Sequence, residues 1–175
     1  MNAEKQIRVV FGAEDIRRGV ERVAREVQAH FGTRDEVLVL AVLNGGLWFA
    51  ADLLRLLPAN FRLETLRVSS YGAGRESSGT LKWLTPIPQV QGRRVLVLDD
   101  LADTGLTLRE ICRNLADAGA AEVKCAVAVD KAGRRNCDLA PDFAALHTGP
   151  GYLVGYGMDA DGKYRNLPCI GVLQN

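Results

Sequence analysis

The chain has 175 residues, 47% of them hydrophobic and 25% charged, the size and composition of one soluble globular domain. A chain of this length buries roughly 70% of its unfolded surface and needs no staple to complete a core. Lys and Arg total 22 against 21 Asp and Glu, a net charge of +1 with basic pairs scattered among acids; this excludes the basic stripe of a nucleic-acid reader but leaves room for a small anionic ligand.

In chain order, Ile16, Val20, Val23, Val27 and Phe31 recur at helical spacing, Glu14 and Asp15 suit the positive end of the helix dipole, and Gly32 stops the helix. Val37–Leu43 is an unbroken run of branched apolar residues, read as a buried strand and far short of the ~20 residues of a membrane span. Gly45 and Gly46 break it, helical patterning resumes from Leu47 to Leu57 before Pro58, and Phe61–Val68 alternates as a strand. Ser69–Thr80 holds three glycines and four serines with little to bury, which reads as a mobile functional lid or a disordered segment. Val95–Leu98 is a second buried strand; a helix follows Thr107 to about Ala118 and ends at Gly119. Val123–Val129 is a third strand, with short ones expected near Phe143–His147, Tyr152–Val154 and Ile170–Leu173. This alternation predicts an α/β domain over residues 1–175, a parallel sheet covered by helices with strand-rich material appended. Ligands of such sheets bind beyond the carboxyl ends of the strands, where Asn44–Gly46 and Asp99–Thr107 fall.

Cys112, Cys125, Cys137 and Cys169 form no Cys-x-x-Cys pair, and His30 and His147 lie far from them, so no zinc spacing exists. With no secretory leader in view, reduced thiols in a cytoplasmic protein are expected.

The chemistry concentrates at Asp99-Asp100-Leu101-Ala102-Asp103-Thr104-Gly105-Leu106-Thr107. Three carboxylates this close repel one another, and the chain tolerates them most readily when a cation or ligand hydroxyls share the site. Asp103 to Thr107 then opens a helix whose N–H groups can cradle a phosphate. Helix capping accounts for one of these residues, not for the string.

Val95 to Leu108 resembles the phosphoribosyl-pyrophosphate signature of type I phosphoribosyltransferases: an apolar strand, two acids, two spacers, Asp-Thr-Gly and a Thr. Val42–Leu54 resembles that family's pyrophosphate loop and following helix, and Ser69-Ser70-Tyr71-Gly72 with Ser78–Lys82 resembles its mobile loop. Lys131, Val154–Asp159 and Lys163–Pro168 resemble the purine end of hypoxanthine-guanine phosphoribosyltransferases, and the matches run in family order from about residue 8 to 174. Asn44 stands where many members carry Lys, and Asp99 where Glu is frequent.

The resemblance implies a type I phosphoribosyltransferase fold, with a central parallel sheet, a strand-rich hood made by the chain ends and a mobile loop at about 69–80. It also implies transfer of 5-phosphoribosyl from phosphoribosyl pyrophosphate to hypoxanthine or guanine, giving IMP or GMP and pyrophosphate, with Mg²⁺ as cofactor. Asp103 would be the general base, Asp99 and Asp100 would hold ribose hydroxyls and magnesium, and Asp103, Thr104, Gly105, Leu106 and Thr107 would bind the phosphoribosyl group. Gly45, Gly46 and Arg165 would receive the pyrophosphate. Lys131, Tyr152, Leu153 and Asp159 would meet the purine, with Asp159 on a second magnesium, while Ser70 and Tyr71 would close over the site.

Plainer readings stand beside these: Lys131 as a solvated lysine, Tyr152 as a core side chain, and Asp159 as a turn cap. Trp48, Phe49, Trp83 and Phe143 read as core or interface. A homodimer or homotetramer is implied, with no nucleic acid or membrane partner. The alternatives are a xanthine-preferring enzyme and a nucleotide-sensing regulator on the same fold; the balanced charge argues against the regulator.

Overall fold

The computed structural model describes residues 6–70, 81–131, 133 and 135–174. Its elements are β1 (Ile7–Phe11), α1 (Ala13–Phe31), β2 (Val37–Leu43), α2 (Leu47–Leu54), β3 (Phe61–Ser70), β4 (Leu81–Trp83), β5 (Arg94–Ala102), α3 (Leu106–Asp117), β6 (Glu122–Asp130), β7 (Phe143–His147), β8 (Leu153–Val154) and β9 (Ile170–Leu173). The three buried strands β2, β5 and β6 form the centre of a six-stranded sheet of order β4-β3-β2-β5-β6-β7. Neighbours from β3 to β7 run parallel, and β4 is antiparallel on β3 at the edge. A second sheet, β1-β9-β8, is antiparallel and joins the two ends of the described chain.

Alternation along β2 explains why the run is apolar throughout. Val37, Val39 and Ala41 join the core under α1 and α2, whereas Leu38, Leu40 and Val42 join the core under α3. Burying each such side chain stabilises the fold by about 1.5–3 kcal/mol, and a strand covered on both faces has no place for a polar residue until its end. Helix α1 turns Ile16, Val20, Val23, Val27 and Phe31 inward; Asp15 caps its start by accepting the Gly12 N–H at 3.0 Å.

Several boundaries differ from the sequence reading. Ser69 and Ser70 continue β3, in register with Lys82 and Leu81 of β4, so the polar segment begins after them. The rest of the expected lid, Tyr71 to Thr80, lies outside the described residues. Helix α2 ends at Leu54, and Leu56 and Leu57 close a tighter turn through N–H bonds to the carbonyls of Leu53 and Leu54. Tyr152 precedes β8, its carbonyl accepting the Leu173 N–H. β5 runs on through Asp99 and Asp100 because β6 beside it is still extended, pairing Leu101 with Val129.

Candidate active site

From β2 the chain crosses through α2 to β3 on one side, then returns to β5 on the other side of β2. The carboxyl ends of β2 and β5 therefore part at a topological switch point, which opens a crevice. Asn44–Gly46 from β2 and the acids of β5 meet there. A Cβ at Gly45 would overlap the Asp100 carboxylate, so only glycine allows this approach. The Gly46 N–H is turned back onto the Val42 carbonyl at 2.9 Å as α2 starts.

Asp99 and Asp100 are adjacent and enclosed, Asp99 with 8% of its surface exposed. Burial raises the proton affinity of both carboxyls, and at Asp99 the neighbouring Asp100 charge adds to the rise; at Asp100 the bond to Asp99 and the Arg165 guanidinium oppose it. The Asp100 N–H donates to Asp99 Oδ1 at 2.9 Å, and among the described residues neither carboxylate is in an ion pair. Two adjacent acids at the end of a buried strand, in no ion pair among the described residues, fit a hydrated divalent cation or a pair of sugar hydroxyls.

Beyond the strand, Asp103 meets Lys131 from the end of β6, with Nζ 3.3 Å from Asp103 Oδ2. Lys131 also donates to the Gly151 carbonyl at 2.9 Å and keeps only 4% of its surface exposed. It is not a solvated lysine. A lysine buried this way needs compensation by charge and carbonyl, which Asp103 and Gly151 supply.

Thr104 and Gly105 turn the chain into α3, Gly105 taking φ +80° as the N-cap. The Leu106 N–H contacts Thr104 Oγ1 at 3.5 Å, and the helix start presents its first N–H groups at Leu106 and Thr107 beside the acids. Below it, Cys137 donates its thiol to the Thr104 carbonyl at 3.5 Å and the Asn136 N–H bonds the same carbonyl at 2.9 Å. Cys137 Sγ would lie 2.7 Å from a Cβ at Gly105.

The hood supplies the rest. Tyr152 is 57% exposed, which removes the core reading, and its hydroxyl donates to the Asp159 carbonyl at 3.1 Å. Leu153 is buried in the core, which leaves its main chain as the part able to touch a base. Asp159 accepts the Gly162 N–H at 2.7 Å and pairs with Arg165 Nη2 at 2.6 Å. It therefore caps its turn and anchors Arg165, whose Nη1 donates to the Gly157 carbonyl. Among the described residues no three His, Cys, Asp or Glu side chains gather as a metal site.

One group escaped the sequence reading. Asp130, just before Lys131, is buried and pairs with Arg135, and His147 Nδ1 lies 3.6 Å from it. Arg135 also donates to the Leu139 carbonyl at 2.7 Å, tying the 135–139 segment under Gly105 to the end of β6. An acid ending an apolar strand next to a lysine was the available signal.

Residues 12–160 match the phosphoribosyl transferase domain family. The chain is 35% identical to a hypoxanthine-guanine phosphoribosyltransferase of Aquifex aeolicus over 98% of its own length and 97% of that protein. It is 33% identical to a hypoxanthine-guanine-xanthine phosphoribosyltransferase of Tritrichomonas foetus, over 95% of this chain and 91% of the other. A crystal structure of a hypoxanthine-guanine phosphoribosyltransferase from Bacillus anthracis matches with a TM-score of 0.90 at 31% identity, covering 97% of this chain and 99% of that one.

Proposed function

The chain belongs to the phosphoribosyltransferase family, and from that premise we propose that it transfers 5-phosphoribosyl from phosphoribosyl pyrophosphate to hypoxanthine or guanine, releasing pyrophosphate. The observation that carries this reading is the Asp103–Lys131 pair at 3.3 Å, which brings a carboxylate able to accept a proton and an ammonium able to donate to a 6-oxo group together ahead of α3.

Each residue then has a task. The start of α3, Thr104 to Thr107, holds the 5′-phosphate by main-chain N–H groups and hydroxyls. Asp99 and Asp100 hold ribose hydroxyls and a magnesium ion. Gly45, Gly46 and Arg165 receive the pyrophosphate. Lys131 passes from the Gly151 carbonyl to the oxygen at the purine 6-position, Tyr152 stacks on the ring from its exposed place, and Leu153 offers a main-chain group. Asp103, released from part of its pairing as Lys131 turns to the base, takes the proton from the attacking purine nitrogen. Asp159 serves a second magnesium with Arg165 beside it, and Ser70 and Tyr71 belong to a closing loop. Magnesium, when bound, neutralises the charge that builds on the departing pyrophosphate.

The whole chain acts as one domain, in the cytoplasm and as a homodimer or homotetramer. All four cysteines being free thiols supports the reducing compartment. The alternatives are not favoured: relatives from Aquifex aeolicus and Bacillus subtilis that match over nearly the full length are hypoxanthine-guanine phosphoribosyltransferases, and in the Tritrichomonas name xanthine stands as a third base beside the other two.

Metal removal tests the site. Activity is expected to vanish after exhaustive chelation and to return with Mg²⁺ or Mn²⁺ but not with Zn²⁺, followed as pyrophosphate release from hypoxanthine and phosphoribosyl pyrophosphate. Full turnover in metal-free buffer would contradict the role given to the acid pair.

A further inference from the structure

From β8 the hood leads into Gly155-Tyr156-Gly157, three consecutive residues with positive φ, at 96°, 48° and 98°. Glycine adopts such angles freely, but a tyrosine in this region is uncommon and is held there by its surroundings. The main chain is fixed by the Tyr156 N–H to the Leu167 carbonyl and the Gly157 N–H to the Arg165 carbonyl, both at 3.0 Å. The side chain reaches across to α2. Its hydroxyl donates to Asp52 Oδ2 at 2.9 Å, a contact between residues 104 positions apart, and Tyr156 keeps 5% of its surface exposed.

The same turn touches both elements assigned to the pyrophosphate. Gly157 lies so close to the Gly45 carbonyl that a Cβ would overlap it, and the Trp48 ring packs beside it. The Gly45 peptide is thus held between Asp100 on one side and Gly157 on the other. The Gly157 carbonyl in turn accepts from Arg165 Nη1. Helix α2 begins at Leu47 with Gly46 as its N-cap, so the position of its second turn, where Asp52 stands, sets how Asn44–Gly46 enters the crevice.

We propose that Tyr156 is a positioning residue for the leaving group: bonded to Asp52, it fixes the hood turn against α2 at the spacing that holds the Gly45 loop and Arg165 ready for pyrophosphate. The proposal rests on the pyrophosphate role assigned above to that loop. Purine recognition at Lys131 is held by β6 and Gly151 and does not depend on this bond. Loss of the hydroxyl leaves Asp52 still paired with Arg55 at 2.9 Å and half-exposed, so the fold is expected to survive the change.

The test compares Tyr156→Phe, Asp52→Ala and Asp52→Asn, with thermal melts as a control on folding. Calorimetric affinity for magnesium pyrophosphate is read together with kcat and the separate KM values for phosphoribosyl pyrophosphate and hypoxanthine. Tyr156→Phe and Asp52→Ala are expected to weaken pyrophosphate and phosphoribosyl pyrophosphate about tenfold, the order expected for one lost hydrogen bond to a charged acceptor. The hypoxanthine KM is expected to stay within about twofold, and Asp52→Asn, which keeps an acceptor oxygen, to remain close to wild type. Unchanged pyrophosphate affinity in the first two variants, or a hypoxanthine KM that rises equally, would overturn the proposal. If Tyr156→Phe fails to fold, Asp52→Ala against Asp52→Asn makes the same discrimination. A wild type that binds no pyrophosphate would overturn the assigned loop role as well, whereas normal wild-type turnover with indifferent variants would overturn the tether alone.

Discussion

Asp103→Asn is expected to lower kcat by about 10²–10⁴-fold while the affinity for phosphoribosyl pyrophosphate stays close to wild type. Asn has nearly the shape of Asp and keeps one acceptor oxygen, but it cannot take a proton from the purine. Asp103 stands between the end of β5 and the start of α3, with Oδ2 3.3 Å from Lys131 Nζ. In the proposed reading the 5′-phosphate is held by N–H groups at the start of α3 and not by this carboxylate, so binding on that side is expected to persist. The substitution also removes the negative partner of a buried lysine, so a melting curve accompanies the kinetics; a variant that melts normally yet turns over slowly isolates the missing base. An Asn variant within a few-fold of the wild-type kcat would show that the proton leaves by another route.

If Lys131 reads the base as proposed, adenine is expected not to be measurably used. At the purine 6-position hypoxanthine and guanine carry an oxygen, whereas adenine carries an amino group that would face the lysine donor. A site built to hydrogen-bond one group rejects an analogue lacking it by as much as roughly 10⁴–10⁵-fold, because the buried partner is left unsatisfied. With 4% of its surface exposed, Lys131 has little water to fall back on. Lys131→Met, similar in length and uncharged, is expected to lose turnover of 6-oxopurines while phosphoribosyl pyrophosphate still binds, as steady-state rates and calorimetry would read. Robust adenine turnover by the wild type, or an unimpaired Lys131→Met, would place the base-reading residue elsewhere.

The central elements were legible because their signals are local. Val37–Leu43 and Val95–Leu98 are apolar at every position, and a strand buried on both faces demands that. β1 and β4 carry no such signal. Ile7–Phe11 alternates poorly and is a strand only because β9 pairs with it, and Leu81–Trp83 is a three-residue edge held by β3. Acids disfavour strands, so a local reading stops β5 at Leu98; the extended β6 alongside carries it on to Ala102. In the site, Asp99, Asp100, Asp103 and Thr104 to Thr107 stand together in sequence and could be found there. The link from Asp52 to Tyr156, the cover of Cys137 over Gly105 and the tie from Asp130 to Arg135 depend on how distant segments pack, and no spacing announces them. Asp159 shows the reverse case, a motif residue whose carboxylate has a structural partner in Arg165.

The most direct test of phosphoribosyl transfer is the stoichiometry of the reaction itself. The purified chain is mixed with hypoxanthine, phosphoribosyl pyrophosphate and Mg²⁺, and nucleotide and pyrophosphate are both measured over time. Transfer to the base predicts IMP and pyrophosphate in equal amounts, with neither appearing when the base is omitted. Release of pyrophosphate or phosphate without nucleotide, or no product from either hypoxanthine or guanine, would contradict it.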